Sequence, residues 1–331
     1  MITIKDIARL AEVSPMTVSR VVNKQFNKVS KQTIERVQDI IKEHGYVPNS
    51  SARSLSSKST RLIAVILQGA ENTLEYPHNA MMTGHICYYV QSRGYSPIVY
   101  YVNDYREITQ RLRTWNVEGA VFLGMFDEDM RNIQEDNTIP LVFTDSYSKV
   151  RQVTNIGLDD YKGGELAGRY LIGMGHREIA FLGISTERSS VVRQRLNGLR
   201  SALLQAGLTL PEERIIFEED FHETVRRLCL GPASPTAFFV AADIEALRLM
   251  DYLRTLGLRV PEDCSLVGFD NLLYSAYSAP RLTTISQNIR RKAQIATDVL
   301  FRHIENNDSP AENIILDVEL VERESVRRLN V

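Results

Sequence analysis

Cysteine and tryptophan are scarce in this chain, whose 331 residues include three of the first and one of the second. Cys87, Cys229 and Cys264 lie far apart, which leaves no disulfide framework and no CxxC spacing for a metal or a redox pair. They read as reduced core residues. Long apolar runs are missing as well. No stretch of about 18 apolar residues occurs, and Met1-Ile2-Thr3-Ile4-Lys5-Asp6 places charge where a secretion signal needs its apolar segment. A cytoplasmic protein without membrane attachment is expected. Catalytic signatures are lacking too: there is no GxxxxGK[ST] phosphate loop, no GxSxG elbow and no HExxH pair, and the six histidines are scattered. Gly163-Gly164-Glu165-Leu166-Ala167-Gly168 lacks the spacing of a dinucleotide loop. No catalytic residue, metal set or cofactor is expected, so the chain reads as a non-enzyme.

What is present suits a folded protein of two or three domains, with 44% hydrophobic and 24% charged residues. The charge is uneven. Residues 1–60 carry 10 Lys/Arg against 5 Asp/Glu, a net of +5, whereas residues 61–331 carry 29 against 36, a net of −7. A basic head on an acidic body fits a nucleic-acid-binding module joined to a body with another task, because phosphate contacts need Lys and Arg on one surface. A solvated helical head with spare lysines gives the same balance.

Residues 3–46 read as three short helices. Ile4, Ile7, Ala8 and Ala11 share one face of the first, which breaks at Glu12-Val13-Ser14. Ser14 caps the second, Pro15 suits its first position, and it runs on through Val22, so the pair forms a helix-turn-helix. The third, capped by Ser30, buries Ile34, Val37, Ile40 and Ile41 and ends near His44-Gly45. On the second helix Pro15, Met16, Thr17 and Arg20 point away from Val18, Val21 and Val22, the disposition of a recognition helix in a major groove. Arg20 can fork onto guanine O6 and N7, Pro15 and Met16 offer only apolar contacts, and Ser14, Thr17, Ser19 and Asn23 can reach phosphates. An exposed helix position explains each residue equally well alone; the joint arrangement is the specific signal.

Thr3-Ile4-Lys5-Asp6-Ile7-Ala8, then Val13 through Asn23, Val29-Ser30 and Gly45-Tyr46-Val47-Pro48-Asn49 resemble the head of the lactose-repressor (LacI/GalR) family of bacterial transcription regulators. The resemblance implies a homodimer whose heads read the halves of a near-palindromic double-stranded DNA operator, with Thr3, Tyr46 and Asn49 among the DNA contacts. It extends into Ala52-Arg53-Ser54-Leu55, similar to the family's hinge helix, where Ala52 and Leu55 meet the DNA and Leu55 wedges into the minor groove. Taken alone, residues 49–60 are Ser-rich and too short and polar for a stable isolated helix, so without DNA they should be a flexible linker. The expected domains are a head at 1–46, a hinge at 47–60 and a body for effector binding and dimerisation at 61–331.

In the body, apolar runs at 62–67, 96–101, 119–123 and 140–143 read as buried parallel strands, with helices near 77–93, 105–115 and 127–136. A second series has strands at Val153–Leu158, Glu178–Gly183, Arg214–Glu218, Ala237–Val240 and Ser265–Phe269, and helices near 161–175, 190–206, 221–229, 243–256 and 271–278. The expected fold class is an all-α helix-turn-helix head plus an α/β body of two doubly wound parallel-sheet lobes of the periplasmic-binding-protein type. The first lobe spans about 61–158 plus 288–316 and the second about 159–287 plus 317–331. Such lobes close on a small ligand held at the carboxyl ends of strands.

Asp145 and Asp270 each follow a strand, which puts both carboxylates at that cleft, where with Arg195 they can grip vicinal hydroxyls of a sugar-like effector. Phe221 or Tyr76 can stack on a sugar ring. The resemblance continues here through Asp160-Tyr161-Lys162-Gly163-Gly164, Arg193-Gln194-Arg195-Leu196-Asn197-Gly198 and Val260 through Asp270. It implies Arg195 and Asp270 as the main effector contacts and Asp145, Phe221 and Asp243 as further ones; counting back from Gly94 adds Tyr76, Asn79 and Met82. The plainer readings are a solvated salt-bridging side chain for Arg195 and a strand-end turn residue for Asp270, each the lesser of the two. Two positions depart from the family: Ala242 stands where an Asn is common, and Ile289 where some members carry an aromatic. Two other classes share parts of this pattern, a glycosidase using Asp159-Asp160, or Asp145 with Asp270, as acid and base, and a transport-type binding protein. The stretch Glu322 to Val331 shows no leucine heptads, which favours a dimer over a helical-bundle tetramer.

Overall fold

A computed structural model describes residues 2–46, 59–69, 71–124, 130–146, 153–187, 189–217, 221–306 and 309–330. Three of the residues expected to meet DNA, Asn49, Ala52 and Leu55, lie outside the described residues, as does most of the expected hinge. The chain divides into two units at Arg61/Leu62.

The first unit is organised by its helix caps. Helix α1 (Ile4–Leu10) opens with a capping box: the Asp6 backbone N–H donates to the Thr3 hydroxyl oxygen, and the Asp6 carboxylate accepts from the Thr3 N–H. Glu12 takes a left-handed backbone (φ 52°) in the turn that leads to α2 (Pro15–Val22). Ser14 caps α2 by accepting from the Thr17 N–H at 3.1 Å, and Ser30 caps α3 (Lys31–Glu43) through the Thr33 N–H at 3.3 Å. Ile7, Ala8, Ala11, Val18, Val21 and Val37 close over one another as the core between the three helices.

From Leu62 the second unit alternates strands and helices: β1 (Leu62–Gln68), α4 (Pro77–Ser92), β2 (Ser96–Val102), α5 (Tyr105–Trp115), β3 (Gly119–Leu123), α6 (Met130–Glu135), β4 (Leu141–Thr144) and β5 (Thr154–Leu158). It continues with α7 (Asp160–Gly173), β6 (Ile179–Gly183), α8 (Ser190–Gln205), β7 (Ile215–Phe217), α9 (Phe221–Cys229), β8 (Ala237–Val240) and α10 (Asp243–Thr255). Then come β9 (Ser265–Asp270), α11 (Leu273–Tyr277), β10 (Thr283–Ser286), α12 (Ile289–Glu305), β11 (Asn313–Leu316) and β12 (Glu319–Val321). One parallel sheet has the order β11-β5-β4-β3-β1-β2; the other has β12-β10-β9-β8-β6-β7, parallel except where β12 pairs antiparallel with β10.

The chain therefore crosses between lobes after β5, after β10 and after β11. The Asp159 N–H donates to the Leu316 carbonyl at 3.0 Å, tying the first crossing to the third. One correction follows. The run at 153–158 opened the second series of strands on the sequence pattern, although the expected first lobe of 61–158 already held it; β5 pairs with β4 and β11 in the first sheet, as those lobe bounds require. Its neighbour is fixed by polar bonding that periodicity does not show: the Asn155 side chain donates to the Ser146 carbonyl at 3.1 Å and to Asn313 Oδ1 at 2.9 Å.

Both sheets are buried on both faces, as parallel sheets require. In β1, Ile63, Val65 and Leu67 pack toward α4 and α12, while Ala64 and Ile66 face Ile108 and Leu112 of α5. In the second lobe Phe181, Phe239 and Phe269 meet α7 and α8, and Phe238 and Leu266 meet Val225, Leu249 and Leu253. Helices α7 and α8 touch backbone to backbone. A Cβ on Gly164 would lie 1.9 Å from the Arg195 carbonyl oxygen, and one on Gly198 would lie 2.0 Å from that of Tyr161. The glycine run that resembles no phosphate loop is thus a helix-packing surface.

Candidate functional site

In the head, Thr3, Ser14, Pro15, Met16 and Asn23 are exposed, while Thr17, Ser19, Arg20 and Tyr46 are half-buried. Met16 is 64% exposed, on a helix without an acidic side chain. Ser14 Oγ and Thr17 Oγ1 share a hydrogen bond at 2.9 Å, and Asn23 donates to Ser19 Oγ at 3.3 Å, so each pair is pre-oriented at its own end of α2. Tyr46 packs partly against the head core. Thr3 and Ser14 thus act as helix caps in the fold, whatever else they meet.

In the body, a cleft of about 800 Å³ opens between the lobes at the carboxyl ends of β1, β4, β8 and β9. Its lining brings together Tyr76, Asn79, Met82, Asp145, Arg195 and Asp270. Asp145 (φ 57°) and Asp270 (φ 123°) both carry positive backbone angles as their strands end. Such conformations are costly for a residue with a Cβ and are held by surrounding contacts.

Arg195 is not a solvated side chain. Its Nε donates to Asp160 Oδ1 at 2.7 Å, a terminal nitrogen donates to the Ala241 carbonyl at 2.5 Å, and Asp270 Oδ1 lies 4.0 Å away. The guanidinium stacks 3.4 Å over the Phe269 ring. Asp160 and Arg195 are both buried, so the pair needs these added partners to offset desolvation. Asp270 is buried as well and accepts from the Gln287 amide. Burial pushes its carboxyl up to about 6, against the opposing pull of the Arg195 charge.

Asp243 and Phe221 are not where the sequence reading put them. Asp243 is fully buried and does not line the cleft. Its carboxylate accepts from the Leu272 N–H at 2.8 Å and from the Ser275 and Thr284 hydroxyls at 2.6 Å each, which anchors the turn just beyond Asp270. Gly268 makes the space, since a Cβ there would sit 2.2 Å from Asp243 Oδ1. Phe221 is buried in the outer core of the second lobe, against Tyr252 and under the Arg248 guanidinium at 5.1 Å. As the first residue of α9 its ring faces the sheet rather than the ligand space.

Sequence reasoning missed His78, Gln68 and Gln287, which line the cleft, and Lys292 behind it. Lys292 is 0% exposed and donates to Asp145 Oδ2. A signal existed, because Lys292 falls on the same face of α12 as Ile289, Ala293, Ala296 and Val299, all buried. His78 shares a hydrogen bond with Asn79, whose amide donates to the Thr73 carbonyl at 3.1 Å; burial first, and then the Lys292 charge, hold the imidazole below its usual range. Among the described residues no group of three or more His, Cys, Asp or Glu is placed to hold a metal ion, and no helix is long and apolar enough to cross a membrane.

A helix-turn-helix unit followed by a two-lobed body with a cleft between its lobes defines a DNA-binding regulator with a ligand-binding domain. Comparison with known proteins agrees: residues 3–49 match the bacterial regulatory proteins of the lacI family, and residues 169–326 match a periplasmic binding protein-like domain. The chain belongs to the lacI family. It is 34% identical to the HTH-type transcriptional repressor PurR of Mannheimia succiniciproducens over 341 residues, covering 99% of this chain and all of the relative. The HTH-type transcriptional regulator MalR of Clostridium butyricum is also 34% identical, over 97% of this chain and 98% of the relative. Among solved structures, the lac repressor dimer bound to operator and the anti-inducer ONPF superposes with a TM-score of 0.87 at 29% identity, over 98% of this chain and 99% of that one. The CelR–cellobiose complex superposes with a TM-score of 0.74 at 26% identity, over 98% of this chain and all of the other.

Proposed function

We propose that the protein is a cytoplasmic repressor that binds a near-palindromic operator as a homodimer and is controlled by a small sugar-like ligand held between the lobes. In this reading Arg20 and Met16 read bases, while Ser14, Thr17, Ser19 and Asn23 meet phosphates. Hinge residues Asn49, Ala52 and Leu55 complete the DNA contact, and Arg195, Asp270 and Asp145 grip the ligand beside Tyr76, Asn79 and Met82. The observation that carries it is the buried Arg195–Asp160 pair with Asp270 beside it, facing a cleft to which both lobes contribute. Charged groups fixed at the bottom of a cleft stabilise a fold poorly and recognise hydroxyls well. The relatives crystallised with operator and ONPF, and with cellobiose, support the same reading.

A homodimer is supported by the large apolar side chains left exposed on the first lobe, Met81, Tyr88, Val99 and Tyr101, and on α11, Leu273, Tyr274 and Tyr277. The test combines sizing of the pure protein with fluorescence-anisotropy titration of palindromic DNA, with and without neutral sugars. A dimer whose operator affinity changes with one sugar is expected. A monomer, or DNA affinity that no ligand alters, would remove the proposal, and steady turnover of a p-nitrophenyl glycoside would replace it with the glycosidase reading.

A further inference from the structure

Two consecutive residues at the end of β9 hold backbone angles that favour glycine: Asp270 (φ 123°), which lines the cleft, and Asn271 (φ 56°), which does not. Neither is glycine, so surrounding contacts hold the turn against its own backbone preference. They come from three directions. From β10, Thr284 Oγ1 accepts from the Asn271 N–H and Ser286 Oγ from the Asn271 side-chain NH2, each at 3.3 Å. From the start of α10, the Asp243 carboxylate accepts from the Leu272 N–H at 2.8 Å. The third hold is Arg323, two residues beyond β12 and outside the cleft lining. One terminal nitrogen of its guanidinium donates to Asn271 Oδ1 at 2.5 Å and the other to the Leu282 carbonyl at 2.6 Å.

The segment that carries Arg323 is docked without help from this side chain. Ser325 is fully buried; its hydroxyl donates to the Leu266 carbonyl at 2.6 Å, its carbonyl accepts from the Leu266 N–H at 2.8 Å, and its Oγ accepts from the Thr283 N–H at 2.8 Å. The Arg323 N–H donates to Thr283 Oγ1 at 2.9 Å. With the backbone fixed in this way, the guanidinium is a rigid fork that sets the distance between the turn and the entry to β10. Its charge also favours the ionised form of Asp243, against the burial that raises that carboxyl. Arg281, the other cation beside Arg323, is paired with Glu324.

We propose that Arg323 is a positioning residue for ligand recognition, acting from outside the cleft through Asn271 to hold the left-handed turn that presents the Asp270 carboxylate beside Arg195. The proposal rests on the effector role given above to Asp270. Without the guanidinium, the Asn271 carbonyl loses its partner and the turn relaxes toward negative φ. The Asp270 carboxylate then moves off the Gln287 amide and away from Arg195, which it now meets at 4.0 Å. Arg323 therefore contributes to affinity without touching what binds.

The test compares the full-length parent with Arg323→Met, Arg323→Lys, Asn271→Gly and the double variant Arg323→Met with Asn271→Gly. Each is titrated calorimetrically with glucose, galactose, maltose, cellobiose and hypoxanthine, at a temperature where every variant is folded. For a probe that the parent binds, Arg323→Met should weaken binding about tenfold and Arg323→Lys should recover part of the loss. Because Arg323 acts through Asn271, the double variant should bind no more weakly than the weaker single variant. A crystal structure of ligand-free Arg323→Met adds a reading that needs no probe, with Asp270 expected out of its left-handed conformation. An unchanged Asp270 turn in that crystal, undiminished affinity in Arg323→Met, or losses that simply add in the double variant would each overturn the proposal and leave the effector reading standing. Binding of no probe by the parent removes the effector reading, and the crystal still decides whether Arg323 holds the turn. If Arg323→Met does not fold, Arg323→Lys and Asn271→Gly carry the same comparison.

Discussion

Lys292, wholly buried on α12, forms an ion pair with Asp145 at the end of β4. α12 begins just after the chain crosses from the second lobe back to the first. The pair therefore fastens the helix that follows a crossing to a strand end that borders the cleft.

Breaking that pair from one side strands a buried charge. Asp145→Asn, which keeps a residue tolerant of the left-handed backbone, should cost about 3–5 kcal/mol. Replacing both partners, as Asp145→Asn with Lys292→Met, removes the stranded ammonium and should recover most of the loss. Denaturant titration of the single and double variants checks this. Equal destabilisation in both would mean that the lysine is solvated in the native state.

The buried carboxyls make stability depend on pH in a direction that can be worked out. Burial raises Asp243 and Asp270 from 3.8 to about 6. A carboxyl raised in the folded state holds its proton more tightly there, so its stabilising contribution is full below about pH 4 and is lost as pH climbs through about 6. Asp270→Asn cannot ionise. Its melting temperature relative to the parent should therefore rise between pH 4.5 and pH 7.5, equivalent to about 1–3 kcal/mol. A difference independent of pH would show that the Arg195 charge fully compensates Asp270.

The contact between α7 and α8 has no room for a methyl group. Gly164→Ala or Gly198→Ala places a Cβ about 2 Å from a backbone oxygen, so the helices must part and Arg195 must leave Asp160. A loss above about 3 kcal/mol is expected, together with loss of ligand response. Gly173→Ala, at the end of the same α7, meets no atom within 4 Å and should be neutral or stabilising by up to about 1 kcal/mol. Thermal melts of the three variants check this, and a Gly164→Ala or Gly198→Ala variant as stable as the parent would show that the two helices can separate without loss.

These glycines also mark where the sequence stopped being legible. The head was readable because its signals are local: Thr3, Ser14 and Ser30 cap the turns that follow them, and Ile7, Val18 and Val37 recur at helical spacing. The central strands were readable because burial on both faces leaves continuous apolar runs. β10, with Thr283, Thr284 and Ser286, carries no such run, since its hydroxyls bond to Asp243, Asn271 and Arg323 from distant parts of the chain. Asp243 misled for the same reason. Its partners Ser275 and Thr284 are far off in sequence, and only the missing Cβ of Gly268 lets it turn inward.

In the head, the position of Met16 and Arg20 on α2 gives two separable expectations. On the proposed reading, in which Arg20 forks onto a base, Arg20→Ala should cost about 1–3 kcal/mol of operator affinity and relax preference at one base pair in each half-site. Affinity for scrambled DNA should hardly change at constant salt, because a base contact adds little to the phosphate attraction that governs non-specific binding. Met16→Ala should act in the same selective way but more weakly, since an exposed thioether offers only apolar contact. Ser14→Ala differs in kind. It deletes the cap on the Thr17 N–H, so it should cost about 1 kcal/mol of head stability before any DNA is present. Anisotropy titrations on operator and scrambled duplexes, paired with a melt of each variant, separate these effects. If Arg20→Ala weakens both duplexes alike, Arg20 contacts phosphate, and the register of the recognition helix in the groove must be shifted.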